Sequence, residues 1–524
     1  MTDAQSNAGP AHLLEPGQLS GHGVLADGEG RQEIAAGFIA HSLNREPGRH
    51  VVRGDAHANE GAALLVDDHA GDLGGVVLGP SRNGEHGDRH RAVAHDGPEG
   101  CQANHRRQSS ADLASVYEFS GGVKAALLDN ASMAPYRNFT QHLDPTVGPK
   151  RILALDGGGL RGVLTLGMLR EIETILRTQH GGDANFRLAH YFDLIAGTST
   201  GAIIAAALSL GMTVDEVHGH YMDLGRFVFK RTLTRWGALR AKFDGNKVKQ
   251  ALIGVYGERQ MDSADLLTGL LVVSKRLDTG SCWPITNNPN ARYFRAGTKA
   301  TTIPNGEYPL WQVVRASTAA PSFFDPETIR IGRAAGGLKA VTGDFVDGGV
   351  SPHNNPALQA LMTATIEGYR LGWPVGEDKI LVVSVGTGKA DPEVGHAGIL
   401  ASTAAGHAVL SLTALMEDCA DQVETIMQWL SRSSPTARSI DREMGKAVPT
   451  LGGSAMCSYL RYNVLLETDW CEQNLGETFT PKALKTLEAM DDPDNIPELD
   501  RVGRLAGGRL VKADHFPPAF FVMT

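Results

Sequence analysis

Cysteine is scarce in this chain, and what there is does not pair. Five cysteines stand in 524 residues, at positions 101, 282, 419, 457 and 471. An odd count with no Cys-x-x-Cys excludes a disulfide framework and a zinc ribbon, and points to free thiols in a reducing, cytoplasmic compartment. Basic charge is also short. Lys and Arg total 49 against 59 Asp and Glu, a formal net charge of −10. That argues against a broad nucleic-acid surface, which needs clustered cations. The opening Met-Thr-Asp-Ala-Gln-Ser-Asn lacks the basic start and apolar core of a secretory signal. The uncharged run Leu194–Val214 is long enough to span a bilayer. Its centre is Gly-Thr-Ser-Thr-Gly, which divides it into a short strand and a helix, so a buried α/β unit accounts for it better.

The first 132 residues lack still more. They contain no Trp, a single Lys (Lys124) and three aromatics, Phe38, Tyr117 and Phe119, yet they hold 10 of the 19 His and 20 of the 62 Gly. Such a segment buries too little apolar surface to offset its ordering entropy. Residues 1–132 are therefore expected to be disordered, or not to be translated natively, with synthesis starting at Met133. The scarcity of Lys beside nine Arg is the bias an out-of-frame reading produces. His86, His90 and His95 have only loose spacing and support no metal site.

From Lys150 the texture changes. Arg151-Ile-Leu-Ala-Leu155 reads as a short buried strand, and Gly157–Gly159 break it. Leu164, Met168, Leu169, Ile172, Ile175 and Leu176 then recur at helical spacing. Tyr191–Gly211 repeats the strand–turn–helix order, and Ile380–Val385 is another apolar run. Strands alternating with helices predict an α/β fold with a mainly parallel sheet. Beyond about residue 400 the pattern is mainly helical. The expected domains are 1–132 without fold, 148–395 catalytic, and 396–524 packing on or covering it.

Three motifs carry chemistry. Asp156-Gly-Gly-Gly-Leu-Arg-Gly162 follows a strand and opens a helix. Its glycines permit a tight turn that aims free N–H groups outward at a helix N-terminus, a place for an anion, and Arg161 adds positive charge. The same residues match G-x-G-x-x-G, so a dinucleotide site is a rival reading, with Glu171 or Glu173 a poor stand-in for the ribose acid. Gly197-Thr198-Ser199-Thr200-Gly201 is a G-x-S-x-G at a strand-to-helix turn, the setting of an exposed nucleophilic serine. That serine needs a base. His353, His396, His407 and His515 lie downstream, but none sits in a recognisable loop motif. Asp347-Gly348-Gly349 places a carboxylate on a glycine turn at a strand end, where partial burial would keep it basic.

These motifs, in this order, resemble the patatin-like phospholipases. The likeness extends through Arg315-Ala-Ser-Thr-Ala-Ala-Pro-Ser-Phe-Phe324, Asn355-Pro356 and Val383-Ser-Val-Gly-Thr-Gly388, and covers about residues 150–390. It implies a three-layer α/β fold with a central, mainly parallel sheet and helices on both faces. It also implies Ser199 as nucleophile, Asp347 as its base without a histidine, and an oxyanion hole from Gly157, Gly158 and Gly159 helped by Arg161. His353 becomes a bystander. The implied activity is lipid acyl hydrolysis without cofactor or metal. A transferase or thioesterase could use the same acyl-enzyme, and the rival of another class is a dinucleotide-binding oxidoreductase. The partner expected is a lipid or membrane surface, touched peripherally. Basic and aromatic residues interleave from Arg226 to Phe243, suiting anionic head groups, although a solvated helix explains them as well. The helical stretch Ala401–Leu430 is expected to pack on the core or cover the site.

Overall fold

The structure is a computed structural model, and it describes residues 136–228, 243–295, 301–334, 339–390, 404–433, 435–439 and 454–521. The 1–132 segment, His396 and positions 229–242 of the basic–aromatic stretch lie outside the described residues.

A single large sheet organises the described residues. Its strands are β1 (Lys150–Leu155), β2 (Leu194–Thr198), β3 (Gly269–Arg276), β4 (Cys282–Thr286), β5 (Glu327–Gly332), β6 (Val341–Asp347), β7 (Ile380–Val385), β9 (Ser431–Arg432) and β10 (Cys457–Tyr462). They run in the order β5-β6-β3-β2-β1-β7-β10-β9, with β4 also paired to β3. The centre from β3 through β9 is parallel, while β4, β5 and β6 are antiparallel additions. A separate two-stranded pair joins β8 (Lys389–Ala390) to β11 (Leu465–Leu466). Every residue of β1 is buried, as a strand covered on both faces requires. Its alternation divides the core. Leu153 and Leu155 face one apolar cluster, and Ile152 and Ala154 face the other. The arrangement is therefore α/β with helices on both faces, as expected.

On the first face lie the helices Gly162–Gln179, Thr200–Ser209 and Ile496–Leu510. Gly167 and Gly503 let two of them pack backbone to backbone: a Cβ on Gly167 would stand 2.1 Å from the carbonyl carbon of Gly503. The other face is covered by the helix Ala357–Thr365 and by Val423 and Met427 of the helix Ala404–Leu430. At the start of β1, Asp193 ties the layers together. It accepts from Arg137 at 2.9 Å, from the Arg151 backbone N–H at 2.8 Å, and lies 2.8 Å from His142 Nδ1.

The C-terminal portion was expected to be mainly helical. It also supplies β10, which pairs with β7 inside the sheet. Sequence did not mark this strand because Cys-Ser-Tyr-Leu-Arg-Tyr shows neither an apolar run nor an alternation. All six residues are buried, with Arg461 bonded to the buried Asp156 carboxylate and Ser458 donating to the Glu377 carbonyl. Among the described residues no helix is long and apolar enough to cross a membrane. Leu194–Val214 is resolved into β2, the turn, the whole helix Thr200–Ser209 and the first residue of the helix Val214–Val228.

Candidate active site

Ser199 stands at the end of β2, where the chain reverses into the helix Thr200–Ser209. Its backbone has φ +54° and ψ −124°, a strained conformation for a residue with a side chain. The turn closes because Gly201 has none: a Cβ there would lie 2.1 Å from the Leu155 carbonyl oxygen. Two neighbours hold the strain. The Ser199 N–H donates to Ser317 Oγ at 2.8 Å, and that hydroxyl donates to the Val273 carbonyl at 2.6 Å. Thr198 Oγ1 donates to the His353 carbonyl at 2.7 Å.

The half-buried tip of this turn meets the end of β6. Ser199 Oγ donates to Asp347 Oδ2 at 2.5 Å. The second oxygen, Oδ1, accepts from the Gly349 N–H at 2.7 Å, within the turn that Gly348 and Gly349 make. Burial pushes the Asp347 carboxyl up to about 6, against the pull of the Ser199 and Gly349 hydrogen bonds and the charge of Arg315. The group is thus a stronger base than an ordinary carboxylate, and still ionised at neutral pH.

The glycine loop borders the same space. Of its three N–H groups, that of Gly157 is taken by the Asn354 carbonyl at 3.1 Å. It therefore does not face outward as expected. Asn354, on the loop after Asp347, reaches back and uses it. The N–H groups of Gly158 and Gly159 have no partner among the described residues. The loop is fixed from behind by its carbonyls: Thr387 Oγ1 donates to Gly157 O at 2.8 Å, and Thr200 Oγ1 and Tyr221 OH donate to Gly159 O at 2.9 and 2.5 Å. Arg161 is buried and lines the cavity beside Ser199.

His353 and His515 make their contacts elsewhere, and His396 lies outside the described residues. His353 lends its carbonyl to Thr198, while its Nδ1 has no hydrogen bond and burial lowers its pKa. His515 lies 3.1 Å from Tyr462 OH, and His407 is exposed. The dinucleotide reading fares no better. Glu173 is buried, accepts from the Val214 N–H and pairs with Arg177 at 3.2 Å.

The helical stretch expected to pack on the core or cover the site does both, and what sequence reasoning missed is the charge network beside it. The helix Ala404–Leu430 lines the cavity with Leu412, Met416, Glu417 and Glu424. Arg461 of β10 grips Asp156 through two bonds of 2.9 and 2.6 Å, and Glu424 holds Arg438 through two of 2.6 and 2.7 Å. Ile203, Leu224, Val228, Val248, Phe323 and Phe324 make the apolar side. No spacing rule links Asp156 to a residue 305 positions away. Ser317 was visible within the segment Arg315–Phe324, but nothing local marked it as a brace.

The fold and site define a mainly parallel α/β protein with a serine on a strained strand-to-helix turn, bonded to a buried carboxylate beside a glycine loop. The family model of the Patatin-like phospholipases matches residues 153–361. It is similar to the cUMP-AMP-activated phospholipase of Escherichia coli, 34% identical over 216 residues that make up 41% of this chain and 59% of that one. A cGAMP-activated phospholipase of Escherichia coli strain TW11681 is 26% identical over 45% of this chain and 62% of its own. The calcium-independent phospholipase A2-gamma of Rattus norvegicus is 30% identical over 48% and 30%, respectively. The matched region thus spans between about a third and three fifths of these relatives' lengths.

Proposed function

We propose that this protein is a lipid acyl hydrolase of the phospholipase A or lysophospholipase type, working through Ser199 and Asp347. The observation that carries the proposal is the 2.5 Å hydrogen bond from Ser199 Oγ to a buried carboxylate at the head of an apolar cavity. Asp347 takes the serine proton as Oγ attacks the ester carbonyl. The oxyanion forms against the N–H groups of Gly158 and Gly159, with the positive charge of Arg161 nearby. One such donor is worth about 3 kcal/mol in a water-poor site. Asp347 then protonates the departing alcohol, leaving the acyl chain on Ser199. Water, deprotonated by the same carboxylate, releases the fatty acid. The apolar wall from Ile203 to Phe324 suits an acyl chain, and peripheral contact with a lipid surface would deliver it.

Fatty-acid release from phospholipids, lysolipids and neutral esters tests this. Two of the relatives are named as nucleotide-activated, so each assay is run with and without cyclic dinucleotides. Ser199→Ala and Asp347→Asn are each expected to lose about 10⁴-fold or more in kcat. Full activity in Ser199→Ala would overturn the mechanism. Acyl transfer to an added alcohol, exceeding release to water, would instead mark a transferase.

A further inference from the structure

Charge in the cavity wall can be accounted for side chain by side chain. Arg461 and Arg438 neutralise Asp156 and Glu424 in one buried network. Lys389 pairs with Asp421 at 2.6 Å. Asp347 is occupied by Ser199 and Gly349. Two charges of opposite sign remain. Arg161 is 8% exposed, and its guanidinium makes no hydrogen bond or ion pair among the described residues, Nε being fully enclosed. Glu417, on the helix Ala404–Leu430, likewise makes none. Both line the cavity that holds Ser199. The two feel each other's charge, yet are not in ion-pair contact.

A buried unpaired guanidinium is costly, and a protein that needed only stability would close the gap to Glu417. A separated cation and anion facing one cavity match a ligand that is itself a cation and an anion held apart. We propose that Arg161 and Glu417 form a head-group subsite for a zwitterionic amino-alcohol phosphate, with Arg161 on the phosphate and Glu417 on the ammonium. This rests on reading the cavity as a lipid acyl site. A guanidinium binds phosphate through two parallel N–H groups, which leaves its field available to the nearby oxyanion. An anionic head group would satisfy Arg161 but meet Glu417 as a like charge. A neutral ester would leave both groups unpaired.

Binding to the full-length Ser199→Ala protein tests this without relying on turnover. The probes are soluble short-chain lipids below their micelle concentration, with phosphocholine or phosphoglycerol heads on the same acyl chains. The phosphocholine lipid is expected to bind at least about tenfold tighter, a difference of about 1.4 kcal/mol. Adding Glu417→Gln is expected to bring the ratio close to one, and Glu417→Lys to reverse it. Equal or reversed affinities in the Ser199→Ala protein, no binding of either lipid, or a ratio untouched by both Glu417 substitutions would overturn the subsite. Hydrolysis by the unsubstituted protein is scored separately. Ester cleavage with no head-group ratio sinks the subsite alone, whereas the ratio without any cleavage sinks the hydrolase reading alone.

Discussion

Asp347 owes its chemistry to its surroundings. An exposed aspartate is too weak a base to help a serine hydroxyl, and burial corrects this by raising the carboxyl to about 6. The ionised form is the active one, so the sign follows directly. kcat/KM is expected to climb about tenfold per pH unit below 6 and to level off above it. A pH–rate profile on a soluble ester measures this, and a midpoint near the ordinary imidazole value that vanished with His353→Ala would restore a histidine. Ser317 acts at one remove. Its hydroxyl joins the Ser199 N–H to the Val273 carbonyl and so braces the strained turn. Ser317→Ala leaves both backbone groups unpaired, a cost of about 1–3 kcal/mol each. The variant is expected to fold and to lose about tenfold in kcat with KM little changed, as steady-state kinetics would show.

At the scale of elements, catalysis depends on where strands stop. β2 and β6 end side by side through β3, which pairs with both, and this alone brings Ser199 and Asp347 together across 148 positions of sequence. β1 ends at Leu155, and the Arg461 guanidinium from β10 holds the carboxylate of the next residue, Asp156, where the glycine loop begins. The Glu424 carboxylate of the helix Ala404–Leu430 also approaches Arg461, at 3.4 Å. Removing the cation leaves two buried carboxylates facing each other. Arg461→Met is expected to destabilise the protein by about 3–5 kcal/mol, read as a lower denaturant midpoint. Adding Asp156→Asn is expected to recover part of it, which separates charge burial from lost packing.

For the molecule as a whole, the region matching the patatin model and the region that folds are not the same. The match ends at residue 361, yet β7 and β10 lie beyond it in the same sheet, and the helix Ile496–Leu510 packs against the helix Gly162–Gln179 through Gly167 and Gly503. A chain ending at residue 400 would expose one edge of β7 and uncover that helix. It is expected to show no cooperative unfolding transition, whereas the full chain shows one; circular dichroism during heating decides. The cavity wall has the same origin, since Glu417, Glu424, Arg438 and Arg461 all follow residue 400.

What sequence determined by itself was everything local. Gly197–Gly201 specify a turn closed by its two glycines, the Gly157–Gly159 loop specifies a tight turn at a helix start, and the apolar runs at β1, β2 and β7 specify strands buried on both faces. Each is a property of a few consecutive residues, so periodicity and backbone freedom reveal it. The order of the motifs added Asp347. Tertiary structure alone decided that Gly157 gives its N–H to Asn354, that Ser317 braces the nucleophile, that β10 enters the sheet with a charge inside it, and that Glu417 and Arg161 line one cavity. Those facts join residues far apart in the chain, and packing, not propensity, sets which carbonyl or carboxylate a given donor meets.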